Sequence, residues 1–295
     1  MILENYSTGQ NWKLVRSRVC VRALLIFLGI ILMQMLAYMI CVAGLFVWSA
    51  FMGKDSGALL SSLAGINVSG DFLIWVSLVS AFLSMIWCGI LYKKSSWRVK
   101  DFDYGAAFCL KNTLSAIGVG VGGCITLTMF LSLLSAVIPE AFSFYNTVME
   151  QLTDNSMAVT VIYVLLVGPV SEELIFRGAI LDRFYLAFPF LAANILQAVL
   201  FGLYHMNLIQ GLYAFCLGFV LGMIRYGMGS ILASVFVHIL FNGTSYALDI
   251  LFPEGQVIQL WQMLVSILGG LLLFVFGFAH FIRIYRQKEG REIVQ

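Results

Sequence analysis

The sequence is poor in charged residues: Asp, Glu, Lys and Arg make up 11% of its 295 residues, while 61% are hydrophobic. Soluble domains contain about 25% charged and about 45–50% apolar residues. This composition, with a mean hydropathy of +0.95, excludes an ordinary soluble domain. The net charge of +2 indicates no particular partner, and we expect no binding to nucleic acid.

Several motifs are also missing. The cysteines are scattered and form no CxxC pair, which argues against a disulfide framework or a cysteine zinc site. We find no HExxH or GxSxG motif and no internal repeat of the kind that inverted-repeat transporters carry. The sequence also shows no soluble domain and only short loops between its apolar segments, so the function must lie within a membrane or at its surfaces. The six cysteines are Cys20, Cys41, Cys88, Cys109, Cys124 and Cys216.

Long runs without charged residues take the place of these features. They cover residues 23–53, 72–92, 112–139, 184–224, 226–248 and 255–282. A helix needs about 20 apolar residues to cross a bilayer core of about 30 Å. Run 184–224 has room for two spans, with a polar break near residues 205–210, and segment 157–180 adds another. The sequence predicts an all-α polytopic membrane protein with about eight transmembrane helices, the first a retained anchor.

The loop charges predict the orientation, because Lys and Arg are enriched in cytoplasmic loops. In an eight-span topology almost all of them fall on one side, so both termini should be cytoplasmic, and we expect a bacterial plasma membrane. The basic residues on that side are Lys13, Arg16, Arg18, Arg22, Lys93, Lys94, Arg98, Lys100, Lys111, Arg177, Arg183, Arg225, Arg283, Arg286, Lys288 and Arg291. The opposite loops contain Lys54, Asp55, Asp71, Glu140, Glu150, Asp154, Asp249 and Glu254.

A glycine-rich patch lies inside the third span, at residues 118–123. Small residues in a membrane helix let a neighbouring helix approach closely. We therefore interpret this patch as a site of helix packing.

A few polar side chains lie deep in the predicted spans, where an ionisable group costs at least about 2.5–3.5 kcal/mol and so suggests function. Glu173 and Arg177 are four residues apart and can pair on one helix face. Glu172 is turned about 100° away and cannot share that arginine equally. The deep candidates are Glu172, Glu173, Arg177, His205, His238 and Asn242.

Structural roles compete with functional ones for each of these residues. Glu173 and Arg177 suit a buried ion pair that fixes helix packing. Glu172 alone could be a solvated or neutral carboxyl near the interface, and a lone histidine is more often a packing group than a catalyst. Two histidines, an asparagine one turn after the second, and an unpaired glutamate together favour a site. His280 has no such company and is interpreted as interfacial.

These groups allow limited chemistry. A glutamate and a histidine can together take a proton from water and make it nucleophilic toward a carbonyl. A second histidine and an amide can donate hydrogen bonds to the developing oxyanion. Two histidines and a carboxylate could instead hold zinc. Asparagine is a poor zinc ligand and a good oxyanion donor, so we expect no cofactor, with zinc as the alternative.

Three short motifs in this region resemble those of the CPBP family, the CAAX-protease and bacteriocin-processing membrane proteins. EELIFRG at residues 172–178 fits its EExxxRG motif, FGLYH at 201–205 its FxxxH motif, and HILFN at 238–242 its HxxxN motif. The resemblance covers roughly residues 155–250. It divides the chain into an N-terminal transmembrane region (1–154), a protease core of four spans (155–250) and a C-terminal span with a tail (251–295).

The resemblance implies a glutamate-dependent intramembrane endopeptidase. Glu172 and His205 would then activate water, while His238 and Asn242 would form the oxyanion site. Glu173 and Arg177 would be structural or would position the substrate, and the partner would be a membrane-associated peptide or protein. The same fold in a non-catalytic immunity or scaffold protein is the alternative, and the missing repeat disfavours a transporter.

One difficulty concerns depth. If the midpoints of spans four, five and seven lie at equal depth, Glu172 and His238 fall just cytoplasmic of the midplane. His205 then falls toward the opposite half, at about 1.5 Å per residue. We predict that helix tilt, or a shorter fifth span broken at Gly202 or Asn207, closes this gap.

Overall fold

The computed structural model describes residues 12–53, 70–94, 104–153, 157–252 and 258–294, which form helices and no strand. Helix α6 is a continuous series of α- and π-helical segments. The helices are α1 (Trp12–Phe51), α2 (Gly70–Lys93), α3 (Tyr104–Ala107), α4 (Leu110–Val137), α5 (Pro139–Thr153), α6 (157–185), α7 (Phe190–Tyr204), α8 (Leu208–Met228), α9 (Ile231–Leu251) and α10 (Leu260–Val294).

Seven of the described helices are long and apolar enough to cross a membrane: α1, α2, α4, α6, α8, α9 and α10. The chain is therefore an all-α, multi-pass integral membrane protein, as predicted. The fifth span is a short helix, one of the two alternatives that the sequence predicts. Helix α7 has 15 residues, about 22 Å at the α-helical rise, and is too short to cross a bilayer core of about 30 Å.

The predicted polar break explains why α7 is short. After Tyr204 the chain turns through His205 and Met206, and Met206 takes a positive φ of 54°. The next helix begins after Asn207, whose side-chain oxygen accepts the backbone N–H of Gln210 at 3.1 Å. An asparagine cap satisfies one of the N–H groups that a helix start leaves unpaired. The predicted break of the fifth helix at Asn207 is confirmed.

Although it is short, helix α7 must be counted as one of the membrane segments when the chain direction is followed. Helices α4 and α10 run antiparallel, since a Cβ added to Gly118 would meet the Leu273 carbonyl oxygen at 3.0 Å. One added to Gly122, further along α4, would meet that of Gly270, which is earlier in α10, at 2.5 Å. Helix α4 is the third apolar helix, so α10 must be an even-numbered one. Counting α7 as the fifth apolar helix makes α10 the eighth, which is even. Helices α7 and α8 then form a helical hairpin that enters the membrane and returns to the same side.

The glycine patch is a site of close helix packing, as predicted, with Gly118, Gly122 and Gly123 facing α10 and Gly120 facing α9. A Cβ on Gly270 would lie 2.7 Å from the Thr126 hydroxyl and 2.8 Å from the Gly122 carbonyl oxygen. Its neighbour Gly269 has no atom within 4 Å of the same position. The two adjacent glycines thus provide a matched pair of sites on one helix.

We expect Gly270→Ala to destabilise the protein by about 1–3 kcal/mol, the usual cost of overpacking. Gly269→Ala should be neutral or slightly stabilising, because alanine favours a helix over glycine. The measurement is the free energy of unfolding of both variants in detergent. Equal effects of the two changes would contradict close packing between α4 and α10.

Helix α6 contains two π-helical segments that the sequence analysis missed. In the first, Tyr163–Val167, the backbone N–H of Gly168 donates to the carbonyl of Tyr163, five residues earlier. Pro169 follows directly and has no N–H to donate, which accounts for the widened turn. The second, Leu174–Ile180, carries no such signal, and we have no physical account of it.

Two more features differ from the predicted loops. Residues 139–153 form the helix α5, which packs against α2, α4, α6 and α8. Arg225, expected in the loop between two spans, lies in the last turn of α8 and pairs with Asp182 at 2.7 Å, both buried. The orientation and the three-part division stay predictions. Some of the charges used for orientation lie outside the described residues: Lys54, Asp55, Arg98, Lys100, Asp154 and Glu254.

Candidate active site

The predicted ion pair forms the buried centre of the site. Arg177 donates from one terminal nitrogen to Glu173 Oε1 at 2.8 Å, and both side chains have 0% exposure. The arginine also lies over the ring of Phe201, with its guanidinium carbon 4.4 Å from the ring centre. This confirms that the i, i+4 spacing brings Glu173 and Arg177 together.

Glu173 also holds His238 from helix α9. Its Oε1 lies 2.9 Å from His238 Nδ1. The ring nitrogen donates when the carboxylate is ionised, because a carboxylate only accepts hydrogen bonds. The other ring nitrogen, Nε2, lies 3.7 Å from Glu172 Oε2. The buried pair thus fixes the histidine ring so that its second nitrogen faces Glu172.

Glu172 is the more accessible of the two glutamates. Its side chain is 16% exposed, against 0% for Glu173. The only histidine nitrogen within 4 Å of its carboxylate in the described part of the chain is that of His238. His205, which the sequence analysis assigned to the same water as Glu172, makes no direct ion pair with it.

His205 caps the end of the short helix α7. Its Nδ1 lies 2.9 Å from the carbonyl oxygen of Phe201, which can only accept, so Nδ1 is the donor in this contact. The Phe201 ring packs edge-on against both histidines, at centroid distances of 4.9 Å to His205 and 6.1 Å to His238. The two motif histidines therefore share one aromatic neighbour.

Asn242 lies one turn after His238 and contacts the first π-helical segment. Its Nδ2 donates to the carbonyl oxygen of Val164 at 2.9 Å. A side-chain amide has two N–H groups, and this contact uses one of them. The structure thus assembles Glu172, His238 and Asn242 along the facing sides of α6 and α9.

The geometry bears on the zinc alternative. Among the side chains that the structure describes, no group of three or more His, Cys, Asp or Glu residues is arranged to hold a metal ion. The ring orientation of His205, with its Nδ1 proton on a backbone carbonyl, is one that metal-binding histidines also adopt. Metal dependence stays a prediction, and so do the catalytic roles of the site residues.

Sequence reasoning missed three tyrosines near the glutamate. Tyr163 of α6, Tyr204 of α7 and Tyr213 of α8 each interact electrostatically with Glu172. Nothing in the sequence marks Tyr163 or Tyr213, because tyrosines in apolar segments resemble ordinary packing residues. Tyr204 had one signal, its position directly before His205.

Comparison with known proteins adds a family to this geometry. Residues 154–244 match the type II CAAX prenyl endopeptidase Rce1-like family. The chain is also 25% identical over 153 residues to the Bacillus subtilis (strain 168) protein named "Putative membrane peptidase YdiL", over 49% of this chain and 63% of that protein. It thus spans less than two thirds of that relative's length. No solved structure matches significantly.

The family match contains all three motifs, which lie within residues 154–244. At the level of the family, the names support a membrane protease. The predicted family resemblance is confirmed for residues 154–244, which match an Rce1-like, type II CAAX prenyl endopeptidase domain.

Proposed function

We propose that this protein is an intramembrane endopeptidase that hydrolyses a peptide bond in a membrane-associated peptide or protein, with Glu172 as the general base. One observation carries the proposal. The accessible carboxylate of Glu172 faces Nε2 of His238 at 3.7 Å, while the other nitrogen of that ring is held by the buried Glu173–Arg177 pair. A purely structural glutamate has no need of such a fixed neighbour.

The proposed reaction begins with a water molecule beside Glu172. The water oxygen forms a bond to the carbonyl carbon of the substrate as its proton passes to the Glu172 carboxylate. A neutral His205 assists through its Nε2 lone pair, which can accept a hydrogen bond from the same water. The carbonyl oxygen becomes an oxyanion in this step.

The oxyanion requires hydrogen-bond donors aimed at it. A protonated His238, with Nδ1–H on Glu173, presents Nε2–H to the space beside Glu172. The second N–H of Asn242 is the other donor. As the carbon–nitrogen bond breaks, Glu172 returns the proton to the leaving amine, which yields a free carboxyl group and a free amine.

The location of the site favours substrates within the membrane. All four proposed reacting residues lie in apolar helices or at their ends, and the described loops are short. A peptide bond must therefore enter the bilayer region to reach Glu172. We further propose that the protein acts in a bacterial plasma membrane and needs no cofactor.

The experiment is cleavage of membrane-associated peptides by purified protein in liposomes, with and without a metal chelator. We expect chelator-resistant cleavage, which mass spectrometry detects as two products with a new carboxyl and a new amino terminus. Activity that is lost on chelation and restored by zinc would instead support the zinc alternative. If no peptide is cleaved by wild-type protein more than by Glu172→Gln, the protease proposal is wrong.

A further inference from the structure

We propose that the hydroxyl group of Tyr204 contacts the substrate and donates a hydrogen bond to the developing oxyanion, beside His238 and Asn242. This inference rests on the proposed function and adds a residue to its machinery. It starts from the location of Tyr204, the last residue of the short helix α7, directly before His205.

The ring of Tyr204 is fixed on two sides by other rings of the site. It packs edge-on against the His205 ring at a centroid distance of 5.8 Å and against Phe176 at 5.5 Å. Phe176 in turn packs on Phe201 at 4.9 Å, the ring shared by both histidines. Edge-to-face pairs at these separations are favourable. The direction of the Tyr204 hydroxyl is therefore set by its contacts with His205 and Phe176.

The hydroxyl group itself lies in the field of Glu172 and differs from those of the other nearby tyrosines. The Tyr163 hydroxyl interacts with Ser77, and that of Tyr213 with Tyr145. The Tyr204 hydroxyl interacts electrostatically with Tyr163 and Glu172. Within the described residues it has no hydrogen-bond partner. A hydroxyl group that is half-buried without a partner can donate to a ligand at little cost.

Tyr204 would add a third donor to the proposed oxyanion site. One N–H of Asn242 already donates to the Val164 carbonyl oxygen. The proposed donors to the oxyanion are therefore two, the other N–H of Asn242 and Nε2–H of His238. Removal of one oxyanion donor from a protease typically lowers kcat by about 10²–10³-fold. A phenol has an ordinary pKa of about 10 and stays protonated at neutral pH, so it can donate throughout the reaction.

The test is Tyr204→Phe, which removes the hydroxyl group and keeps the ring contacts. We expect kcat for peptide cleavage to fall on the order of 10²-fold, with KM and the melting temperature unchanged. Tyr163→Phe is the matched control, because it removes a hydroxyl group that faces Ser77, and it should retain wild-type kcat. Tyr204→Met, which lacks the hydroxyl and adapts to irregular packing, should show the same loss if the phenylalanine variant folds poorly.

Wild-type kcat in Tyr204→Phe would overturn this inference and leave the proposed function intact. A rise in KM at unchanged kcat would also overturn it, since that indicates binding without transition-state stabilisation. If the wild-type protein shows no cleavage that depends on Glu172, the proposed function fails, and the role of Tyr204 fails with it.

Discussion

Glu172→Gln is expected to lower kcat for peptide cleavage by on the order of 10³-fold, within the usual range for the loss of a general base. Glutamine has nearly the same shape but cannot take a proton from water. The melting temperature should stay unchanged, because Glu172 is partly exposed and does not belong to the Glu173–Arg177 pair. Single-turnover cleavage in liposomes and thermal unfolding in detergent measure the two effects separately.

Two controls sharpen this result. Glu140→Gln removes the charge of an exposed side chain in the first turn of α5 and should change neither rate nor stability. Glu173→Gln should lower the stability, because it removes the partner of a buried arginine. It should also lower the cleavage rate, because it removes the carboxylate that holds His238. A Glu172→Gln variant with the wild-type rate would exclude Glu172 as the base.

Much of the site follows from residue spacing. The four-residue interval between Glu173 and Arg177 predicts their ion pair. The rotation of Glu172 by about 100° from Glu173 predicts that its carboxylate does not share that arginine equally. The structure agrees on both points. These predictions succeed because neighbours within one helix are set by helical geometry alone.

Contacts between helices were harder to predict. The contact of His238 with both glutamates depends on how α9 packs on α6, and hydropathy does not encode the rotation of one helix against another. The family resemblance grouped His238 with Asn242 as donors. It gave no reason to expect the hydrogen bond between His238 Nδ1 and Glu173 Oε1, which are 2.9 Å apart. The same limit explains why Tyr204 was missed.

Helix boundaries were predictable where a chemical signal marks them. Asn207 is a favourable cap residue, and the structure begins α8 directly after it. The short fifth span was predicted only as an alternative to helix tilt, because the uncharged run continues on both sides of the break. Absence of charge gives the extent of apolar chain, while the turn depends on the conformations of His205 and Met206.

Arg177→Met is expected to lower the free energy of unfolding by about 3–5 kcal/mol, the usual cost of breaking a buried ion pair from one side. The change leaves Glu173 with a buried charge that is in contact with only His238 and Ser234 among its former partners. It also removes the guanidinium group from the face of Phe201. Chemical unfolding in detergent measures the loss.

The double variant Glu173→Gln/Arg177→Met separates the two roles of the pair. Both buried charges are gone, so most of the lost stability should return, because replacing a buried pair by uncharged groups of similar size is often neutral. In the double-mutant cycle, the double variant should therefore lose less stability than the sum of the losses in the two single variants, as expected for two charges that attract each other. A double variant as unstable as Arg177→Met alone would contradict this account.

Activity should not return with stability in the double variant. His238 Nδ1 would face a neutral amide in place of the carboxylate at 2.9 Å, and a hydrogen bond to a neutral acceptor is weaker than one to an ionised acceptor. The His238 ring, whose Nε2 is proposed to face the oxyanion, would then be held less firmly. A stable double variant with low kcat would mean that the pair serves the reaction as well as the fold, and full recovery of kcat would limit it to the fold.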